Sequence, residues 1–178
     1  MARYEVRLAG FGGQGIILSG YILGKAAALY DGKDAVFSQS YGPEARGGAC
    51  AAEVVIDDDA VDYPVLARPN ILVLMSQEAA NKYSGDMADD AVVLIDEDLV
   101  TAATGPRVFG APTTRIAEDM GRRLVSNIAM LGFLTGATSV VGRPAMEEAI
   151  RSTVPPKTID LNLRAFSAGF DYGQRAVS

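Results

Sequence analysis

A glycine-rich turn, Gly10-Phe11-Gly12-Gly13-Gln14-Gly15, constrains this chain more than any other stretch. It follows the apolar-alternating segment Tyr4-Glu5-Val6-Arg7-Leu8-Ala9 and opens an apolar segment predicted as a helix from Gly15 to about Tyr30. Gly10, Gly12 and Gly15 fit G-x-G-x-x-G in the context that fingerprint requires, after a strand and before a helix. The glycines permit a tight turn and let an anion approach the backbone. The free N–H groups and positive dipole end of the helix then face that anion. The same pattern also serves as a structural turn, with the third glycine setting close helix–strand packing.

A dinucleotide site also needs an acid at the tip of the second strand, to hold the ribose hydroxyls. The second predicted strand reads Ala35-Val36-Phe37-Ser38, and its tip carries Gln39 and Ser40. Asp31 and Asp34 lie at its other end. The phosphate-cradling half of the fingerprint is present and the ribose half is missing, which argues against ordinary NAD binding.

A second glycine-flanked loop follows, Ser38-Gln39-Ser40-Tyr41-Gly42-Pro43-Glu44-Ala45-Arg46-Gly47-Gly48. Strands one and two of a β-α-β unit run parallel, so both loops are expected at one carboxyl edge, where open α/β sheets bind ligands. Tyr41 brings a ring and a hydroxyl. Arg46 brings a planar fork suited to phosphate or carboxylate. Pro43 stiffens the loop, and Gly42, Gly47 and Gly48 permit close backbone approach. Glu44 lies beside Arg46. Ser40 to Gly48 therefore form a candidate partner or ligand loop, and a solvated connector is the alternative.

The link to the next strand, Ala49-Cys50-Ala51-Ala52-Glu53-Val54-Val55-Ile56, is too short for a helical crossover, so that strand is expected antiparallel and the sheet mixed. Ile71-Leu72-Val73-Leu74-Met75 and Ala91-Val92-Val93-Leu94-Ile95 are continuous apolar runs typical of buried parallel strands. Ser76 is an N-cap, with Gln77 and Glu78 in the first helical turn. Val108-Phe109 is a last short strand. Arg123 to Thr135 reads as a helix apolar on most faces, covered by the sheet on one side and open to a subunit interface on the other. Asn127 stands out within it, because a buried amide needs partners. Pro144 starts a helix through Arg151, and a last amphipathic helix spans about Ile159 to Phe170. The tail after Gly173 is expected to be disordered in the isolated chain. The fold class is a Rossmann-like three-layer α/β/α sandwich with a mostly parallel, mixed sheet, forming a single domain over residues 1–178.

Composition narrows the chemistry. The chain has no His and one Cys. It cannot by itself ligate an iron–sulfur cluster or a structural zinc, nor build a Cys–His pair or a Ser-His-Asp triad. No catalytic residue and no metal ligand is assigned. Asp57-Asp58-Asp59 lacks the ligand spacing of a calcium loop and reads as a solvated turn. A net charge of −6 argues against general nucleic-acid binding. No apolar run reaches membrane-spanning length and no signal peptide is visible, so a cytoplasmic location is expected.

At these residues the chain resembles the gamma subunit of the 2-oxoacid:ferredoxin oxidoreductases. The likeness rests on Gly10 to Gly15, on Tyr41-Gly42-Pro43-Glu44-Ala45-Arg46-Gly47-Gly48, on Ser126-Asn127-Ile128-Ala129-Met130-Leu131-Gly132, and on Asn162-Leu163-Arg164-Ala165-Phe166 with Gly169-Phe170. The middle loop, through Ala49-Cys50 and on to Asp62-Tyr63-Pro64, is most similar to the 2-oxoglutarate branch. Pyruvate and branched-chain 2-oxoacids remain alternative substrates. The resemblance implies an assembled enzyme that turns a 2-oxoacid, coenzyme A and oxidised ferredoxin into acyl-CoA, CO2 and reduced ferredoxin. It implies alpha and beta partner subunits, with a ferredoxin-like delta subunit optional. Thiamine diphosphate, Mg and the iron–sulfur clusters would lie in those partners. This chain would bind no cofactor alone, with coenzyme A as a shared ligand. Gly10, Gly12, Gly13, Gln14, Gly15 and Asn127 are the candidate binding residues. A non-catalytic assembly module, a free-standing nucleotide-binding protein and a homodimer of the isolated chain stay open.

Overall fold

The computed structural model describes residues 2–40 and 49–178. Six strands form one sheet in the order β2-β3-β1-β4-β5-β6. They are β1 (Arg3–Phe11), β2 (Asp34–Ser40), β3 (Ala49–Asp57), β4 (Ile71–Leu74), β5 (Val92–Asp96) and β6 (Arg107–Ala111). β1, β4, β5 and β6 pair in parallel, while β3 is antiparallel to both β1 and β2. The mixed sheet expected from the short β2–β3 link is therefore present. β2 runs in the same direction as β1, but β3 lies between them. The tip of β2 is thus about 10 Å from the glycine turn, two strand spacings away. That geometry accounts for the missing ribose acid, because in this order no acid there would flank the turn.

Six helices are described: α1 (Ile16–Lys25), α2 (Gln77–Tyr83), α3 (Thr113–Asp119), α4 (Ser126–Thr138), α5 (Arg143–Arg151) and α6 (Ile159–Ala176). α1 continues into a π-helical turn over Ala26–Tyr30. Val6 and Leu8 of β1, with Cys50, Ala52 and Val54 of β3 and Ile71 and Val73 of β4, pack against α1, α4, α5 and α6. Ala9, Ala51, Leu72 and Leu74 face the other way, onto Ala79 and Ala80 of α2. The three layers are therefore unequal, thick on one side and thin on the other. Each large apolar side chain buried between them contributes about 1.5–3 kcal/mol. The Ser76 cap is formed, its hydroxyl accepting from the Ala79 N–H at 3.1 Å.

Three expectations change. The far side of α4 is covered by α6, not left open. Gly132 and Gly136 on α4 meet Gly169 and Gly173 on α6 so closely that a Cβ on any of them would run into the facing backbone. The last helix extends past Phe170 to Ala176 and takes in the tail, where Gln174 Nε2 donates to the Gly136 carbonyl at 3.1 Å. α3 had no clear signature in the sequence. It is held from outside itself, as its first residues donate to the buried carboxylate of Asp96. No helix among the described residues is long and apolar enough to cross a membrane.

Candidate functional site

The glycine turn sits at the carboxyl edge of the parallel strands. Gln14 braces it: the Phe11 N–H donates to Gln14 Oε1 at 2.6 Å, and Gln14 Nε2 donates to the Met75 carbonyl at the end of β4, 2.9 Å away. Both ends of that amide are occupied within the fold. Gly10 has no room for a side chain, because a Cβ there would meet Gln14 Oε1 and Ile16 Cδ1. Gly15 caps α1 in the left-handed region, with φ 74°, and the space beside it is filled by Asn127. Gly13 is also left-handed, at φ 92°. Gly12 differs from all three. Its φ is not left-handed, and no atom of the described residues lies within 4 Å of the position a Cβ would take. The fold itself gives no reason for glycine there.

Gly12 and Gly13 border a cleft of about 640 Å³, walled also by Phe11, Gln14, Leu99, Thr114, Arg123, Leu124 and Ser126. Each wall has an identifiable support. Thr114 begins α3, where its hydroxyl donates to Asp96 Oδ2 at 2.6 Å and its N–H at 3.1 Å. Asp96 is fully buried, and Thr113 Oγ1 donates to the same oxygen at 2.8 Å. Arg123 and Leu124 come from a single 3-10 turn, Arg123–Val125, that leads into α4. Among the described residues Arg123 has only a distant ion pair, 3.8 Å from Glu118. Among the described residues no carboxylate lines the cleft, although the chain carries a net charge of −6. A cavity with bare backbone, one lightly paired guanidinium and a hydroxyl is suited to a phosphate-bearing ligand.

Asn127 lies in the first turn of α4, rather than mid-helix as the sequence suggested. It is 3% exposed. Its Nδ2 donates to the Gly15 carbonyl at 3.2 Å, and its Oδ1 accepts from the Ile128 N–H at 2.9 Å. The structure thus joins Gly15 and Asn127 by direct contact, while Gly10, Gly12, Gly13 and Gln14 belong to the turn itself. Tyr41, Gly42, Pro43, Glu44, Arg46, Gly47 and Gly48 lie outside the described residues. The ends of their segment are nonetheless fixed. Ser40 pairs with Ala51, and Ala49 stands in register with Phe11, so both ends meet the sheet edge that carries the glycine turn. Cys50 is buried beside them, and burial pushes its thiol pKa up.

Arg123, Leu124 and Thr114 were not identified from sequence. The adjacent arginines Arg122 and Arg123, just before the Ser126-Asn127 segment, were the available signal. Thr114 offered none, because its placement depends on Asp96.

Comparison with known proteins agrees with this architecture. The family model described as pyruvate ferredoxin/flavodoxin oxidoreductase matches residues 5–172. The 2-oxoglutarate synthase subunit KorC of Methanocaldococcus jannaschii is 53% identical over 174 residues, covering 95% of this chain and 93% of that one. The crystal structure of a keto/oxoacid ferredoxin oxidoreductase gamma subunit from Geobacter sulfurreducens PCA superposes with a TM-score of 0.88 at 44% identity, covering 97% of this chain and 99% of that one. A 2-oxoglutarate:ferredoxin oxidoreductase from Magnetococcus marinus, with 2-oxoglutarate, coenzyme A and succinyl-CoA bound, superposes with a TM-score of 0.86 over 98% of this chain and 32% of that one. At 20% identity that last likeness is one of fold. On its sequence, and on a fold shared along nearly its whole length, this chain belongs to the pyruvate ferredoxin/flavodoxin oxidoreductase family.

Proposed function

We propose that this chain is the gamma subunit of a 2-oxoacid:ferredoxin oxidoreductase acting on 2-oxoglutarate, and that its carboxyl-edge cleft binds coenzyme A. The relatives named above support the subunit and substrate assignments. One observation carries the ligand assignment: among the described residues Gly12 is bare where there is room for a side chain, and it borders a large cleft lined by an arginine and no acid. A diphosphate lying on the Gly12–Gly13 backbone would use that space. The N–H groups of the turn and Arg123 would donate to its oxygens.

In this reading the chain binds and orients while its partners carry out the redox chemistry. The overall conversion takes 2-oxoglutarate and coenzyme A to succinyl-CoA and CO2, and sends two electrons to ferredoxin. An iron–sulfur cluster needs several thiolates, and Cys50 is the only cysteine. The residues of this chain therefore do not fit such a cluster, and alpha and beta subunits would supply it together with thiamine diphosphate and Mg. The chain's own contribution is positional. Gripping the diphosphate leaves the thiol-bearing arm free to reach a partner's reacting centre, where a near-attack distance lowers the entropic part of the barrier.

The test is Gly12→Ala in the assembled enzyme. The added methyl meets no atom of the described residues, so folding should be unchanged. The KM for coenzyme A should rise at least about tenfold, with the KM for 2-oxoglutarate little changed, because the methyl occupies the space assigned to phosphate. Unchanged kinetics would reject the coenzyme A reading. Weakened assembly with normal coenzyme A affinity would make this edge a docking element for a partner subunit.

A further inference from the structure

The cleft beneath Gly12 has a smaller neighbour of about 300 Å³, and the two share Gly13 and Leu124. Arg122 and Arg123 are consecutive in the chain but line different clefts, Arg123 the larger and Arg122 the smaller. Leu124, 73% exposed, forms the ridge between them. Among the described residues no carboxylate lines the smaller cleft either. Among the described residues the Arg122 guanidinium has no hydrogen bond or ion pair. The rest of the smaller cleft is mostly apolar, with Leu18, Val154 and Leu161 among its walls, plus the amides of Asn127 and Asn162. Two clefts whose described lining holds one arginine each and no acid, and which share the glycine backbone at Gly13, suit a ligand with two separate anionic groups.

We propose that the two clefts form one site for a single ligand that straddles Gly13, with Arg122 selecting for a second anion, a ribose-bound phosphomonoester. The inference rests on the coenzyme A reading and adds to it the residue that recognises the 3′-phosphate. The wide cleft takes the diphosphate and the long flexible arm, which must lead outward. The smaller, apolar cleft takes the flat heterocycle and its ribose. Arg122 then meets the 3′-phosphate with a planar, always-charged fork. Arg123 meets the diphosphate.

The experiment uses the assembled enzyme, with coenzyme A and 3′-dephospho-coenzyme A as alternative substrates. The wild type should favour coenzyme A. Arg122→Gln should raise the KM for coenzyme A about tenfold and leave that for the dephospho form unchanged, since a hydrogen bond to a charged group is lost only with the first. Arg123→Gln should raise both alike. Arg122→Lys, which keeps a point charge without the fork, should fall between, and it serves in place of the Gln variant if the latter does not assemble. If Arg122→Gln raises both KM values equally, or neither, the proposal is overturned. Gly12→Val separates the two claims. If it raises both KM values while Arg122→Gln shows no selectivity, only the 3′-phosphate assignment fails. If it changes neither, the coenzyme A reading fails with it.

Discussion

Asn127 and Gly15 interlock at the junction of two helices. The Asn127 amide nitrogen donates to the Gly15 carbonyl at 3.2 Å and occupies the space where a Gly15 side chain would stand. That carbonyl also accepts from Ser19 Oγ at 2.8 Å and from the Ser19 N–H at 2.9 Å. The start of α1 and the start of α4 are thereby tied through one backbone oxygen. Asn127→Ala should lower stability by about 1–3 kcal/mol, the usual cost of a lost buried hydrogen bond. Gly15→Ala should cost more, because overlap with Asn127 adds to left-handed strain of about 1–3 kcal/mol. Urea denaturation of the isolated chain measures both, and equal stability of Gly15→Ala and wild type would contradict the packing described.

The α4–α6 contact gives a sharper contrast between glycines. A methyl on Gly132 would overlap the Phe166 carbonyl oxygen and lie 2.8 Å from the Phe170 nitrogen. Backbone atoms cannot rotate aside as a side chain can. Gly132→Ala should therefore destabilise by at least about 1–3 kcal/mol, the range for overpacking. Gly12→Ala should move the melting temperature hardly at all. Scanning calorimetry on both variants tests the pair, and similar melting temperatures would refute it.

Asp96 should behave as a structural anchor of the cleft wall. It is fully buried and takes bonds from the Thr113 and Thr114 hydroxyls and from the Thr114 and Asp98 N–H groups. Asp96→Ala should cost at least about 2 kcal/mol, since hydrogen bonds to a charged group are worth more than neutral ones. Because Thr114 lines the cleft, the same variant should also raise the KM for coenzyme A. Thr113→Val, away from the lining, should affect stability and leave that constant alone.

Cys50 should show slow chemistry and a signed pH dependence. Burial raises its pKa above the ordinary value of 9.0. The folded state therefore keeps the proton while the unfolded chain gives it up. The associated stability is fully present below pH 9 and is lost as pH rises through the raised folded value. The wild type should lose more stability than Cys50→Ala between about pH 7 and about pH 10, and thiol-directed alkylation should track unfolding. Rapid labelling of the folded chain would show that the thiol is accessible.

What could be read from sequence followed range of interaction. The Ser76 cap and the runs in β4 and β5 are local patterns, and each appears where its residues imply. The short link before Ala49 gave the direction of β3, but not its insertion between β1 and β2, which depends on pairing along the whole length of β1. α3 was missed because seven residues without an apolar period are held by a side chain from β5. The covering of α4 was misjudged because its partner glycines lie more than thirty residues away, although Gly132 and Gly136, like Gly169 and Gly173, are four apart. The turn was read from sequence as a candidate phosphate cradle. The arginines beside it were not, because their relevance comes from the fold bringing α4 to the carboxyl edge.

The Gln14 brace has a kinetic consequence. A glycine-rich turn left to itself would sample many shapes, and a ligand would bind only the fraction already competent, weakening its apparent affinity by that fraction. Here one amide pins the turn to the Phe11 nitrogen and to the Met75 carbonyl through contacts internal to the fold. On the coenzyme A reading, this pinned shape is the receptive one, and entry requires no rearrangement of this segment. Capture should approach an encounter-limited rate, and differences in residence time should arise from the arginines rather than from the turn.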